Sequence, residues 1–251
     1  MSGDRQKLEN IAYCARYAFM PNRLHLCGPE NQADVLEFYS KIDRPQKSIE
    51  PLLEKFETMF PYLKMIAAAN REKDPFEKKI AEAYWIGNEK LMNVPPRKLF
   101  DHLRFNLRID KSLGFKDFGD FKKKFNQIAP AHHNFHVFSV LKRTGNTKSF
   151  HTLASMDACR ISWGIVDEIL PGRLKVKTKP LAIDARGRIF EGDFIQKIAQ
   201  NNVEGVILLK GLKKGDCVSM HWGAVCEKLN KEQLSYLKHC ARLSFEFANL
   251  K

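Results

Sequence analysis

The chain has no apolar stretch approaching the roughly 20 residues that a bilayer span needs; runs such as Met65–Ala69 are far shorter. It has no close cysteine pairs either. Cys14, Cys27, Cys159, Cys217, Cys226 and Cys240 never stand two or three residues apart, which excludes zinc-ribbon and thioredoxin-like spacings. No GxGxxG, P-loop or GxSxG sequence occurs, so the common dinucleotide, nucleotide and esterase signatures are missing. Internal repeats are absent as well, which argues against a solenoid. The opening residues Met1–Gln6 carry no apolar h-region, so a cytoplasmic chain with reduced thiols is expected.

What is present is an ordinary globular composition, 251 residues with 44% hydrophobic and 28% charged side chains. That length accommodates one large core or two smaller ones. The net charge of +13 is large, yet basic residues outnumber acidic ones 26 to 18 before residue 156 and 16 to 11 after it. An excess spread so evenly, densest only at Lys122-Lys123-Lys124, reads as a solvated surface rather than a nucleic-acid footprint.

Residues 1–155 read as an irregular helical domain. Ile11–Phe19 is helix-compatible and is expected to stop at Pro21-Asn22. Gly28-Pro29 opens a second segment, Glu30–Ile42, Ser48 caps a third, Ile49–Phe60, and Pro61 begins or bends the next, through Ala69. Asp74-Pro75-Phe76-Glu77 launches one helix over Phe76–Met92, and Pro95-Pro96 another through Arg108. Phe118, Phe121 and Phe125 mark one more.

The pattern changes between Thr144 and Ala158. Arg160–Ile169 is rich in β-branched residues, and Arg173–Lys179 alternates strictly, with Leu174, Val176 and Thr178 on one face. Further strands are expected over Arg188–Ile195, Val203–Lys210 and Cys217–Ala224. Asn230 with Gln233 forms a capping-box signal for a last helix through Leu250. The expected fold is therefore α+β: a helical domain over 1–155, then a small OB-like β-barrel with a C-terminal helix over 156–251.

Three of the eight histidines fall in His132-His133-Asn134-Phe135-His136. On a helix, His132 and His136 share a face at the i,i+4 spacing that lets two imidazoles hold a metal. A zincin carries Glu directly after the first histidine, where this chain has His133, so a hydrolytic zinc site lacks support. The cluster reads as a cofactor or substrate contact, or as hydrogen bonding between the two domains. His25 and Cys27 flank Leu26 in a loop, where sites are often built. Gly87, inside Tyr84-Trp85-Ile86-Gly87-Asn88, marks close packing or a ligand-facing notch.

Two motifs carry a family resemblance. Cys159-Arg160-Ile161-Ser162-Trp163-Gly164-Ile165-Val166-Asp167-Glu168-Ile169 follows Cys-x-x-x-x-Gly-x-Val-x-x-Ile. Gly215-Asp216-Cys217-Val218-Ser219-Met220-His221-Trp222-Gly223-Ala224 follows Gly-Asp-x-Val-x-x-His-x-Gly-x-Ala with the alanine one place early, and Glu227-Lys228-Leu229 continues it. In this order the motifs resemble the HypC/HupF family of nickel–iron hydrogenase maturation chaperones, from Cys159 to the C-terminus. The resemblance implies an OB-like barrel that carries iron with cyanide and carbon monoxide ligands through Cys159 and His221. It also implies hydrogenase maturation proteins or the hydrogenase large subunit as partners. Arg160 is placed to favour the Cys159 thiolate. The family cysteine sits near the N-terminus, whereas Cys159 is internal.

The expected function is thus an accessory or maturation factor in metal-centre assembly. One alternative is a metal-dependent enzyme with its site at the domain junction, around His132, His133 and His136. Another is a nucleic-acid-binding OB-like protein using Trp163 and Trp222.

Overall fold

Burying an amphipathic face needs a partner surface, and the long first helix finds two: its neighbouring helices and the β-sheet. The computed structural model describes residues 2–30, 32–41, 48–112, 115–125, 129–140 and 152–250. The expected domain boundary at 144–158 lies partly outside these, in 141–151.

The helices before the sheet are α1 Ser2–Arg23, α2 Gln32–Ser40, α3 Glu50–Leu53, α4 Met59–Ala69, α5 Lys78–Trp85 and α6 Glu89–Met92. They continue with α7 Pro96–Asp101, α8 Ile109–Ser112, α9 Phe115–Lys124, α10 His133–Phe135 and α11 Leu153–Cys159. α1 does not stop at Pro21 but runs on to Arg23. The sequence-based helix over 76–92 divides in two. Glu77 caps α5 by accepting from the Lys79 and Ile80 amides, and Gly87, at φ +93°, turns the chain before Asn88 caps α6. A Cβ at Gly87 would stand 2.5 Å from Cys240 Sγ, so close packing against the last helix requires glycine there.

The strands are β1 Ser162–Leu170, β2 Arg173–Thr178, β3 Leu181–Ile183, β4 Ile189–Glu191, β5 Ile195–Gln200, β6 Asn202–Val203, β7 Val206–Ile207, β8 Cys217–His221 and β9 Ala224–Lys228. Five of them pair in the order β1-β2-β5-β9-β8, and β8 returns to β1. The β5–β9 step is a single parallel bridge, Gln200 to Ala224. β3–β4 and β6–β7 are separate two-stranded ribbons. The expected strand over 203–210 is one of these ribbons, reversed at Glu204-Gly205 with φ of +51° and +85°. That pair of left-handed residues suits a tight hairpin.

In β2, Leu174, Val176 and Thr178 point inward as their alternation predicts, and Leu174 and Val176 pack with Val166 and Val218. α12, Lys231–Ala248, starts at an Asn230–Gln233 capping box and buries Leu237, Cys240, Ala241 and Ser244. The chain is mixed α+β, helical first and strand-rich after.

The main core ignores the position where the composition changes. Ile161, Trp163, Leu237 and Phe247 belong to the same buried cluster as Tyr17, Tyr62 and Tyr84. Among the described residues no helix is long and apolar enough to cross a membrane.

Candidate metal centre

Three segments that are far apart in sequence meet beside α1. The first is the histidine segment, pinned by Asn134. Its side-chain amide donates to the Ile161 carbonyl at 3.0 Å, and its carbonyl oxygen accepts from the Ile161 amide at 2.7 Å. Asn134 is fully buried, so this two-way bond fixes His133 against the residues that precede β1. The second segment is the end of α11, where Cys159 is the last helical residue rather than the first of a strand. The third is the end of β8, where His221 precedes the turn Trp222-Gly223, both left-handed, before β9. The Trp222 amide donates to the Ala158 carbonyl at 2.7 Å, which ties that turn to the residue before Cys159.

The result is a group of three ligand-type atoms, from His133, Cys159 and His221, all within 4.8 Å of one another. Cys159 Sγ lies 3.8 Å from His133 Nε2. Bonds of about 2.3 Å to sulfur and about 2.0 Å to nitrogen, at a tetrahedral angle, put two such ligands about 3.5 Å apart. The Cys159–His133 pair therefore needs only a few tenths of an ångström of contraction.

His221 carries the clearest signal. Its Nδ1–H donates to the Tyr17 carbonyl at 2.8 Å, which leaves the lone pair on Nε2. That Nε2 is buried and makes no hydrogen bond of ordinary geometry, although the Cys159 carbonyl lies near enough to act on the ring. A buried nitrogen without a partner is costly, and an outward N–H held by a backbone carbonyl is the support that metal-ligating histidines use.

Pro21 explains why the carbonyl is available. A proline has no N–H, so the carbonyl four residues earlier, Tyr17, loses its helical donor. His133 is supported at Nδ1 by the Tyr84 hydroxyl, 3.0 Å away, while its Nε2–H donates to the Cys159 carbonyl at 2.9 Å. Ligation through Nε2 would displace that last bond and require the proton on Nδ1.

Burial pushes the His221 imidazolium down to about 4. Burial, and then the neighbouring His221, push His133 well below the ordinary histidine range. Both rings are neutral near pH 7, the form a metal takes. The rings of His133 and His221 stand 5.1 Å apart, and the Trp85 indole packs against both, at 4.9 and 5.7 Å. Beside these three side chains lies a cavity of about 50 Å³, walled also by Cys27, Met59 and His136.

The structure sorts the sequence candidates differently from the i,i+4 expectation. His132 is not on the helix face. Its backbone is extended, and its Nδ1 caps α10 by accepting from the Asn134 amide. His136 lines the cavity, with Nδ1 3.4 Å from the Tyr62 hydroxyl, but is not one of the three clustered residues. Cys159 and His221 come together, and the third partner is His133.

Arg160 does not serve the thiol. It is fully buried, donates to Asp157 at 3.1 Å and to Glu191 at 2.8 Å, and also donates to the Lys179 carbonyl. Its charge is compensated there. Trp163 is buried beneath Lys238, whose ammonium lies 4.2 Å from its ring centre, and Trp222 helps wall the cavity. Neither forms an exposed stacking platform. Pro21, Tyr84 and Asn134 stand in the sequence as a helix stop, part of a packing motif and a member of the histidine segment, and nothing there assigns them or Tyr17 to the site.

The fold and this side-chain group define an α+β protein with a His/Cys/His cluster next to a small cavity. Residues 8–251 match a family of unknown function (DUF6390), and the chain belongs to that family. No curated protein and no solved structure matches it.

Proposed function

We propose that the protein binds a thiophilic transition-metal ion through His133, Cys159 and His221 and serves as an accessory factor in metal-centre assembly. The observation that carries this reading is the buried, unpartnered His221 Nε2, held in its ligating tautomer within 4.8 Å of a thiol and a second neutral imidazole. One thiolate with two imidazoles suits ferrous iron, cobalt or zinc. The resemblance of the Cys159 and His221 motifs to the HypC/HupF family favours iron as cargo. It also favours hydrogenase maturation proteins or the hydrogenase large subunit as partners, with the protein acting in the cytoplasm.

Three protein ligands beside a cavity leave coordination positions open, as holding and handing over an ion requires. The same opening supports a second reading, a metal-dependent enzyme at the junction of the helical and β parts. Metal analysis of protein purified without oxygen tests the reading. One equivalent of bound metal is expected in the native chain, and none in Cys159→Ala or His221→Ala variants that keep their circular dichroism. Native protein that takes up no iron, cobalt or zinc under reducing conditions overturns it. Turnover of a substrate by the loaded protein would favour the enzyme.

A further inference from the structure

The cavity beside the three ligands has a second thiol in its wall. Cys27 reaches it from the loop that follows α1, whereas Cys159 arrives from the end of α11. We infer that Cys27 is a fourth ligand, which closes over a metal held by His133, Cys159 and His221 and completes a two-nitrogen, two-sulfur shell. This inference rests on the metal-binding reading above.

The loop is built to aim that side chain. Chain reversal takes place at His25 and Gly28, with φ of +56° and +82°. A Cβ at Gly28 would stand 2.4 Å from the Phe56 ring, so no other residue lets the loop sit this deep. The Cys27 amide donates to the Pro21 carbonyl at 3.2 Å, and the Asn22 side chain donates to the carbonyls of Cys27 and Pro29 at 3.3 and 2.8 Å. One helix end therefore does two things: through Tyr17 it orients His221, and through Pro21 and Asn22 it presents Cys27.

Tyr84, whose hydroxyl bonds His133, walls the same cavity as Cys27 and Cys159. Cys27 stands outside the 4.8 Å group, so the fourth bond needs its side chain to turn inward across a cavity of about 50 Å³, which has room for an ion and a few waters. A two-nitrogen, two-sulfur shell selects tetrahedral, thiophilic divalent ions.

The test is cobalt(II) titration of the full chain under reducing, oxygen-free conditions, read by sulfur-to-cobalt absorption. Native protein should bind one equivalent with the absorption of two thiolates. Cys27→Ala should lose one of the two sulfur contributions and weaken binding by at least about tenfold, the scale of lesser losses around a metal. Cys27→His should recover affinity but not the second sulfur band, which separates ligation from a packing defect. Alkylation of native protein should show cobalt protecting Cys27 and Cys159 but not the half-buried Cys217. Cobalt binding with the same affinity and spectrum in Cys27→Ala overturns the fourth ligand and leaves a three-ligand site intact. Failure of the native chain to bind cobalt overturns the metal reading itself, and the fourth ligand with it.

Discussion

Pro21 and His221 are 200 residues apart in the chain and are joined by one oxygen atom. Because Pro21 has no N–H, the Tyr17 carbonyl is left without its helical donor, and His221 Nδ1–H occupies it at 2.8 Å. A helix imperfection thereby sets the tautomer of a candidate ligand.

Pro21→Ala should reverse that arrangement. The alanine amide competes for the Tyr17 carbonyl, α1 gains a hydrogen bond, and His221 loses its orientation. Metal affinity should fall by about 10–100-fold, the usual effect of losing an outer-shell partner. Thermal stability should hold or rise. A titration with unchanged affinity would show that the carbonyl does not position the ring.

Tyr84→Phe removes the hydroxyl that holds His133 Nδ1. A buried hydrogen bond contributes about 1 kcal/mol, and its orphaned partner costs about 1–3 kcal/mol. Urea unfolding of the metal-free protein should register a loss in that range. Metal affinity should fall less than in Cys159→Ala, since the ligand itself remains.

Acid should destabilise the metal-free protein well before carboxylates titrate. Burial lowers His132 to about 3, and lowers His102 and His221 to about 4. In the unfolded chain each titrates near 6.5, so between those values the unfolded state holds protons that the folded state does not. Stability is full above about pH 6.5 and is lost as pH falls towards 4, by about 1.4 kcal/mol per unit for each such ring. Urea midpoints measured at pH 7, 6 and 5 should decline progressively; a flat series would contradict the buried neutral histidines.

Gly87→Ala meets two obstacles, a φ of +93° and a Cβ position 2.5 Å from Cys240 Sγ. Overpacking costs about 1–3 kcal/mol, and alanine at a left-handed position adds to it. Adding Cys240→Ala should restore the packing share and leave the backbone share. A double variant no better than Gly87→Ala alone would mean that the contact with α12 is not the constraint.

Residues 156–251 expressed alone should aggregate or remain unfolded. The fragment exposes Ile161, Trp163, Leu237 and Phe247, which are buried in one cluster with α1, α4 and α5. A monomeric, amide-protected fragment would show that the β part closes its own core.

The sequence by itself determined the α+β division, the inward face of β2 and the Asn230–Gln233 cap of α12, while a family resemblance singled out Cys159 and His221. These are local signals: alternation, capping chemistry and short motifs report on neighbours a few residues away. It also named the histidine segment, but with a helical face through His132 and His136. Only the extended backbone at His132 turns that ring into a cap and leaves His133 for the cluster.

The tertiary structure alone decided that His133, Cys159 and His221 meet. It also decided that Cys27 lines the same cavity, that Arg160 spends its charge on Asp157 and Glu191, and that one core crosses residue 155. The physical reason is range. These meetings depend on how α1 lies across the sheet and on the two backbone bonds of Asn134 to Ile161, contacts between segments whose spacing no periodicity encodes. Pro21 belongs to both accounts: its missing N–H is written in the sequence, but which donor fills the Tyr17 carbonyl is settled only by the packing of β8 against α1.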